Sequence, residues 1–206
     1  MRAPRFMLSA TASGSGKTMI TCGILQALTE RGRKAVAFKC GPDYIDPMFH
    51  TRVLGTPSRN LDTFFTDEQM TRYLFGRGAK EGDISVMEGV MGYYDGLGGI
   101  STRGSAYDLA RVTETPVILI VDARGMSVSS LALLKGFLTY RCDSGIEGVI
   151  FNQVSQGMYQ ELAELTQEEL GIRSFGYVPR MADLAIESRH LGLVLPDEVD
   201  NLRSEE

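Results

Sequence analysis

An α/β fold, a mostly parallel sheet flanked by helices, is predicted by three features of the sequence. Short apolar runs alternate with amphipathic stretches along nearly the whole chain, the pattern of strands joined by crossover helices. The apolar runs are near-continuous, as strands buried on both faces require. Between the first apolar run and the first amphipathic stretch lies S-A-T-A-S-G-S-G-K-T, residues 9–18, where a phosphate-gripping turn joins strand to helix.

The first strand is expected at about 5–9. In the turn after it, Ser13, Gly14, Ser15 and Gly16 offer backbone N–H groups, and glycine lets the backbone come close to phosphate. Lys17 would reach the β- and γ-phosphates, and the Thr18 hydroxyl would ligate Mg²⁺, so the sheet is of the P-loop NTPase type. The usual pattern G-x-x-x-x-G-K-[ST] has glycine where this chain has Thr11. A helix over 19–28 follows, with Ile20, Ile24 and Leu28 on one face and Gly32 at its C-terminal cap. A second strand is expected at 34–38.

Residues 39–50, K-C-G-P-D-Y-I-D-P-M-F-H, read as a loop, because Gly41-Pro42 and Asp46-Pro47 are turn signals. It lies past the C-terminal end of a strand, where open α/β sheets bind ligands. Asp43 and Asp46 either hold Mg²⁺ and orient a substrate or serve as turn formers and caps, while Lys39 is suited to neutralise phosphate. Residues 60–65 read as irregular, 66–75 as a helix capped by Thr66, and 76–82 as a loop. The third strand, 84–87, delivers Glu88 to the place of a metal-side carboxylate. Glycines 89, 92, 96, 98 and 99 then suggest a flexible loop that closes over a ligand. Asp95 in that loop is either a site residue or part of an Asp-Gly turn.

A helix at 105–112 and an apolar strand at 116–121 come next. The helix at 127–138 should turn Val128, Leu131, Leu134 and Leu138 inward. The strand at 148–151 ends at Asn152, whose amide either reads an adenine edge or closes the strand. Met158, Leu162 and Leu165 stripe a helix that Gly171 ends, and a last strand at 174–178 runs into Pro179-Arg180. Residues 183–195 are ambiguous, and 196–206 read as an acidic tail.

Composition narrows the functional classes. The 206 residues suit one domain with a tail. A net charge of −5 with no Lys/Arg cluster argues against nucleic acid or an anionic membrane as partner. No apolar run has membrane-spanning length. Cys22, Cys40 and Cys142 show no C-x-x-C spacing and fit a reducing, cytoplasmic setting. His50 and His190 form no zinc site with them at standard spacing.

Several loops resemble those of one family. G-P-D-Y-I-D-P at 41–47, N-L-D-T-F at 60–64 and E-G-V-M-G-Y-Y-D-G at 88–96 are similar to cobyrinic acid a,c-diamide synthases, as are S-G-S-G-K-T and R-H-L-G-L at 189–193. The resemblance runs from about Phe6 to about Val194. It implies a dethiobiotin synthetase-like fold and ATP-dependent amidation of the a and c acetate side chains of a corrinoid, through an acyl phosphate, in cobalamin synthesis. It implies that Asp46 and Glu88, with Thr18, are metal-side ligands, and that Asp43 and Asp95 lie near the acyl phosphate. Lys17, Asp43, Asp46, Glu88 and Asp95 make up the catalytic set. The nucleotide is expected to be bound by Ser13, Gly14, Ser15, Gly16, Lys17, Thr18, Lys39, Asn152 and Pro179, and the resemblance implies that Asn152 meets adenine. Tyr44 and Tyr94 either line a flat tetrapyrrole face or pack locally.

Two departures stand out. The family's phosphate loop begins with glycine where this chain has Ala10. The family also continues into a glutaminase domain that these 206 residues do not contain. We therefore expect a synthetase domain at 1–195 and a linker or tail at 196–206, with glutaminase supplied by the same full-length chain or by another subunit. A homodimer stays open. The rival readings are a partitioning-type ATPase switch, whose signature lysine is absent at Ala12, and a nucleotide binder without turnover.

Overall fold

The computed structural model describes residues 4–180 and the backbone of two short segments, 188–189 and 192–193. The readings of 183–195 and of the tail lie outside these residues, apart from those two segments, which pair antiparallel as β8 (Ser188–Arg189) and β9 (Gly192–Leu193).

Seven strands form the main sheet: β1 (Arg5–Ala10), β2 (Ala35–Cys40), β3 (Ser58–Leu61), β4 (Ile84–Glu88), β5 (Val117–Asp122), β6 (Ile146–Asn152) and β7 (Arg173–Val178). Their order is β3-β2-β4-β1-β5-β6-β7, and every pairing is parallel. Six helices cross between them: α1 (Lys17–Glu30), α2 (Ile45–Arg52), α3 (Glu68–Ala79), α4 (Ala106–Thr113), α5 (Ser129–Tyr140) and α6 (Gln156–Leu170). The central strands are buried on both faces: Leu8, Val36, Phe38, Val86, Met87, Leu119 and Phe151 are fully enclosed. That is why their sequences run apolar without alternation. The chain leaves β1 toward β2 and β3, returns to β4, then crosses β1 to reach β5. The crevice above the carboxyl ends of β1 and β4 lies at that reversal, where parallel sheets bind ligands.

The structure corrects five local expectations. The 39–50 segment is not all loop, since α2 begins at Ile45. Pro47 sits in its first turn, where the N–H that proline lacks has no helical partner anyway. Residues 60–65 include the end of β3, an edge strand too short to announce itself. The cap of α3 is Asp67, whose carboxylate accepts from the Met70 N–H, while Thr66 turns back to Asp62. This helix runs on through Gly76 and Gly78, because a bare Gly78 lets it lie against the Phe38 ring, which a Cβ would approach to 2.9 Å. Finally, α5 starts after Val128, which is exposed, so the buried stripe is Leu131 and Leu134.

The glycine-rich 89–104 segment is packed at Gly92, Tyr93 and Gly96 and exposed over residues 97–101. Gly96 is buried, and a Cβ there would come within 2.3 Å of the Arg103 carbonyl oxygen. Tyr93 and Tyr94 tie the segment down by donating their hydroxyls to the carbonyls of Ser144 and Phe137.

Candidate active site

The phosphate loop forms as its sequence requires. Gly14 and Gly16 have φ of 74° and 89°, the left-handed region that glycine tolerates. A Cβ on Gly16 would also lie 2.5 Å from Asn152 Nδ2. Ala10 and Thr11 are outside the left-handed region, so neither position needs the glycine that the usual motif carries. Gly16 caps α1 without any side-chain bond, and the first turn holds no acidic residue. Its free N–H groups and the positive end of the helix therefore face the crevice, an arrangement suited to anionic phosphate. Ser13 and Gly14 are exposed on the rim; Ser15 is buried, and its hydroxyl donates to the Ala12 carbonyl at 2.9 Å. Lys17 is turned back, donating to the carbonyls of Met91 at 2.5 Å and Ala12 at 3.3 Å. Burial, aided by the charge of Lys39, brings this lysine down to about 8.

Behind the loop lies a buried ionic cluster. Lys39 and Glu88 are register partners on the adjacent strands β2 and β4, so their side chains share one face. The Lys39 ammonium donates to Glu88 Oε1 at 2.8 Å and lies 2.5 Å from Asp46 Oδ2. Thr18 Oγ1 donates to the same Glu88 oxygen at 2.7 Å. All of Lys39, Asp46 and Glu88 are at most 4 % exposed. Burial favours the neutral acid in each carboxyl, but the two differ in what offsets it. For Glu88 the charge of Lys39, helped by His50, wins and holds the carboxyl at about 2. For Asp46 burial and the Glu88 charge win over Lys39 and push it up to about 6. Lys39 itself is raised: burial disfavours its charge, and the two carboxylates outweigh that.

The remaining expected residues divide. Asp43 Oδ1 accepts from the Ile45 N–H, a turn-forming role, and no hydrogen bond joins its carboxylate to the ionic cluster. Asp95 accepts from the Gly92 N–H at 3.0 Å and borders the open groove described below. Asn152 is buried at the end of β6, with Nδ2 donating to the Ser15 carbonyl at 3.0 Å and Oδ1 unpartnered. Pro179 is exposed and lines a cavity of about 510 Å³ with Met126, Val154, Met158 and Arg180. Tyr44 is 70 % exposed and belongs to neither site. Cys22 and Cys40 are pushed up to about 12, chiefly by burial, and are inert thiols.

Sequence reasoning passed over two contributors. His50 is fully buried, with Nε2 3.3 Å from Glu88 Oε2. Its signal was the spacing Asp46–His50, four residues apart on what proves to be helix α2. The Met91 carbonyl, which holds Lys17, left no signal, since any residue has a carbonyl; Met91 is set apart only by its left-handed φ of 46°.

A larger groove of about 760 Å³ opens beside the 89–104 segment and runs along α5. Tyr94, Phe137 and Tyr140 form its wall: Tyr94 stacks on Phe137 at 5.5 Å, and Tyr140 meets Tyr94 edge-on at 4.9 Å. Ile100 faces it and is 96 % exposed; Arg141 lies at the rim with its guanidinium 4.9 Å from the Tyr140 ring centre.

A parallel sheet, a phosphate loop and a carboxylate at the neighbouring strand end define a P-loop nucleotide-binding domain. The chain belongs to the CobQ/CobB/MinD/ParA nucleotide binding domain family, whose profile matches residues 6–194. It is 43% identical over 204 residues to the cobyrinate a,c-diamide synthase of Thermoplasma acidophilum, a match covering 98% of this chain and 46% of that protein. To the hydrogenobyrinate a,c-diamide synthase of Mycobacterium bovis it is 41% identical over 198 residues, covering 94% and 43%. The chain thus spans about half the length of the curated relatives it matches. Among solved structures it is similar to the MinC:MinD cell division complex of Aquifex aeolicus, with TM-score 0.58, 15% identity and coverage of 88% and 84%. It also resembles the chloroplast FtsY of Physcomitrella patens, with TM-score 0.62, 14% identity and coverage of 88% and 60%. At such identities these two likenesses are of fold alone. Among the described residues no helix is long and apolar enough to cross a membrane.

Proposed function

We propose that this chain is the synthetase part of a cobyrinate a,c-diamide synthase. Residues 1–195 form its ATP-dependent amidoligase domain, and 196–206 lead toward a glutaminase domain that supplies ammonia. The observation that carries this reading is the Thr18–Glu88–Lys39–Asp46 chain of contacts directly behind a phosphate loop, in a sequence 43% identical to one such synthase.

The chemistry asks little of the protein beyond alignment and charge. A carboxylate oxygen of the corrinoid is already nucleophilic, so no strong base is needed. It takes the γ-phosphoryl group as the bond to ADP breaks. Ammonia then attacks the acyl carbon, phosphate departs and a proton is lost to solvent. Lys17 leaves the Met91 carbonyl to meet the β- and γ-phosphates. Asn152 and Pro179 flank the base, the Asn152 amide offering both a donor and an acceptor to the adenine edge. The corrinoid lies along the Tyr94–Phe137–Tyr140 wall, with Asp95 between it and the phosphates and Asp43 at the opposite rim.

The donor set suits Mg²⁺. Thr18, Asp46 and Glu88 offer hard oxygens, with Glu88 Oε1, which accepts from Thr18, on the phosphate-loop side. No group of three or more His, Cys, Asp and Glu side chains among the described residues makes a protein-only metal cage. That agrees with the way Mg²⁺ is held by one or two carboxylates and completed by phosphate and water. When bound there, the ion neutralises charge on the transferring phosphoryl group.

The test is amidation of cobyrinic acid with MgATP, supplying ammonium in one tube and glutamine in the other and reading product mass. Product with ammonium alone is expected. Product with glutamine would mean that the chain carries its own glutaminase. Absence of product in both tubes, with ATP binding verified, would overturn the corrinoid assignment.

A further inference from the structure

We propose that His50 is a positioning residue that fixes the orientation of the Glu88 carboxylate, so that Oε1 stays directed at Thr18 and the metal side of the phosphate site. This inference rests on the reading of Glu88 as a metal-side carboxylate.

Glu88 is fully buried, and its two oxygens have unequal company. Oε1 accepts from both Thr18 Oγ1 and Lys39 Nζ. Oε2 has no aligned hydrogen-bond partner among the described residues; His50 Nε2 faces it at 3.3 Å. A buried carboxylate oxygen without a donor is costly. If His50 were absent, the carboxylate would turn to share Thr18 and Lys39 between its oxygens. The imidazole removes that freedom.

His50 is itself held at two points, one on the ring and one on the backbone. Its Nδ1 lies 3.1 Å from Ser58 Oγ on β3, and its backbone carbonyl accepts from the Thr56 N–H at 2.9 Å. A Ser58 hydroxyl donating to Nδ1 leaves the ring proton on Nε2, the nitrogen that lies 3.3 Å from Glu88 Oε2. Asp46 and His50 are four residues apart on α2, so one face of this helix brings one group to Lys39 and the other to Glu88. With none of its surface exposed, the ring is out of reach of phosphate or substrate and acts only through Glu88.

Calorimetric titration of ATP into the intact chain, repeated across a Mg²⁺ series, provides the test, because it needs no turnover. Loss of a group that orients a metal ligand typically costs 10–100-fold in metal affinity. His50→Ala should shift the Mg²⁺ needed for half-maximal ATP binding up by about 10-fold, with ATP binding in EDTA unchanged. His50→Gln, whose amide nitrogen can stand in for Nε2, should recover most of that loss. Ser58→Ala, which leaves the ring in place but frees its tautomer, should give a smaller shift in the same direction, and it serves if His50→Ala does not fold. Equal Mg²⁺ dependence in wild type and His50→Ala or, where that variant does not fold, in wild type and Ser58→Ala would overturn the role. So would equal losses in His50→Ala and His50→Gln. Wild-type ATP binding indifferent to Mg²⁺ would overturn the metal reading of Glu88 along with it.

Discussion

The ionic wall behind the phosphate loop and the aromatic wall of the groove are built on opposite principles. On the nucleotide side, charge is buried and compensated within the protein: Lys39 bridges Asp46 and Glu88, and Lys17 rests on two carbonyls. On the groove side, apolar surface is exposed: Tyr140 is 60 % accessible and Ile100 96 %. The contrast follows from where each wall hangs. Lys39 and Glu88 stand in register on paired strands in mid-sheet, where no water reaches them. The groove is made by a loop and a helix on the flank. A buried charge must have its partner before any ligand comes. An aromatic wall tolerates exposure and gains its stabilisation when something flat covers it. One wall is preorganised, the other is complementary.

Breaking the ionic wall should have the largest effect. Glu88→Gln is expected to lower amidation turnover by about 10³-fold and Asp46→Asn by about 10²-fold, within the range seen when one preorganised electrostatic group is removed. Thermal unfolding should show both variants folded. Near-normal amidation by either would strike that residue from the metal side.

The groove should respond more mildly and in a different constant. Removing one ring from the wall, in Phe137→Ala or Tyr140→Ala, should raise KM for the corrinoid about tenfold, roughly 1.4 kcal/mol. KM for ATP and the ammonium-driven kcat should stay near wild type. A change confined to ATP parameters would mean that the groove does not hold the macrocycle.

This division also governs how far the sequence could be read. The phosphate loop, the strand ends at Glu88 and Asn152 and the alternation of layers are legible, because backbone geometry forces particular residues there: glycine at φ of 74° and 89°, apolar runs in buried strands. Helix α2 was hidden because Pro47 reads as a breaker unless one knows that it occupies a first turn. Hidden with it was the role of His50, which depends on helical spacing. Asp43 and Asp46, three residues apart, look equivalent in sequence, yet one caps a turn and the other enters the ionic cluster. Only the packing of α2 against β2 and β3 separates them. The groove wall joins Tyr94 to Phe137 and Tyr140, and no local pattern links residues so far apart.

The smallest effect bears on how complete the compensation of the ionic wall is. Asp46 titrates at about 6, raised by burial and by the Glu88 charge against the pull of Lys39. In the unfolded chain an aspartate titrates near ~3.9. Between the two, the folded chain keeps a proton that the unfolded chain has released. This contribution to stability is therefore full below the unfolded value and is lost as pH rises through about 6. Glu88 has the opposite sign, since its carboxyl is held down at about 2, so its own window closes below the range of interest. Without nucleotide, wild type should lose about 1 kcal/mol of folding stability relative to Asp46→Asn between about pH 5 and pH 7. Urea midpoints of the two proteins at both pH values check this, and the difference between them cancels the titrating groups that do not interact with Asp46. Parallel midpoints would mean that Lys39 keeps both carboxylates ionised throughout. The wall would then bind a divalent cation without releasing a proton, and MgATP affinity would be flat over the same interval. A widening gap would mean that the wall is one charge short of its working state. In that case nucleotide and metal together draw the last proton from Asp46, and binding in buffers of different ionisation enthalpy would register its release.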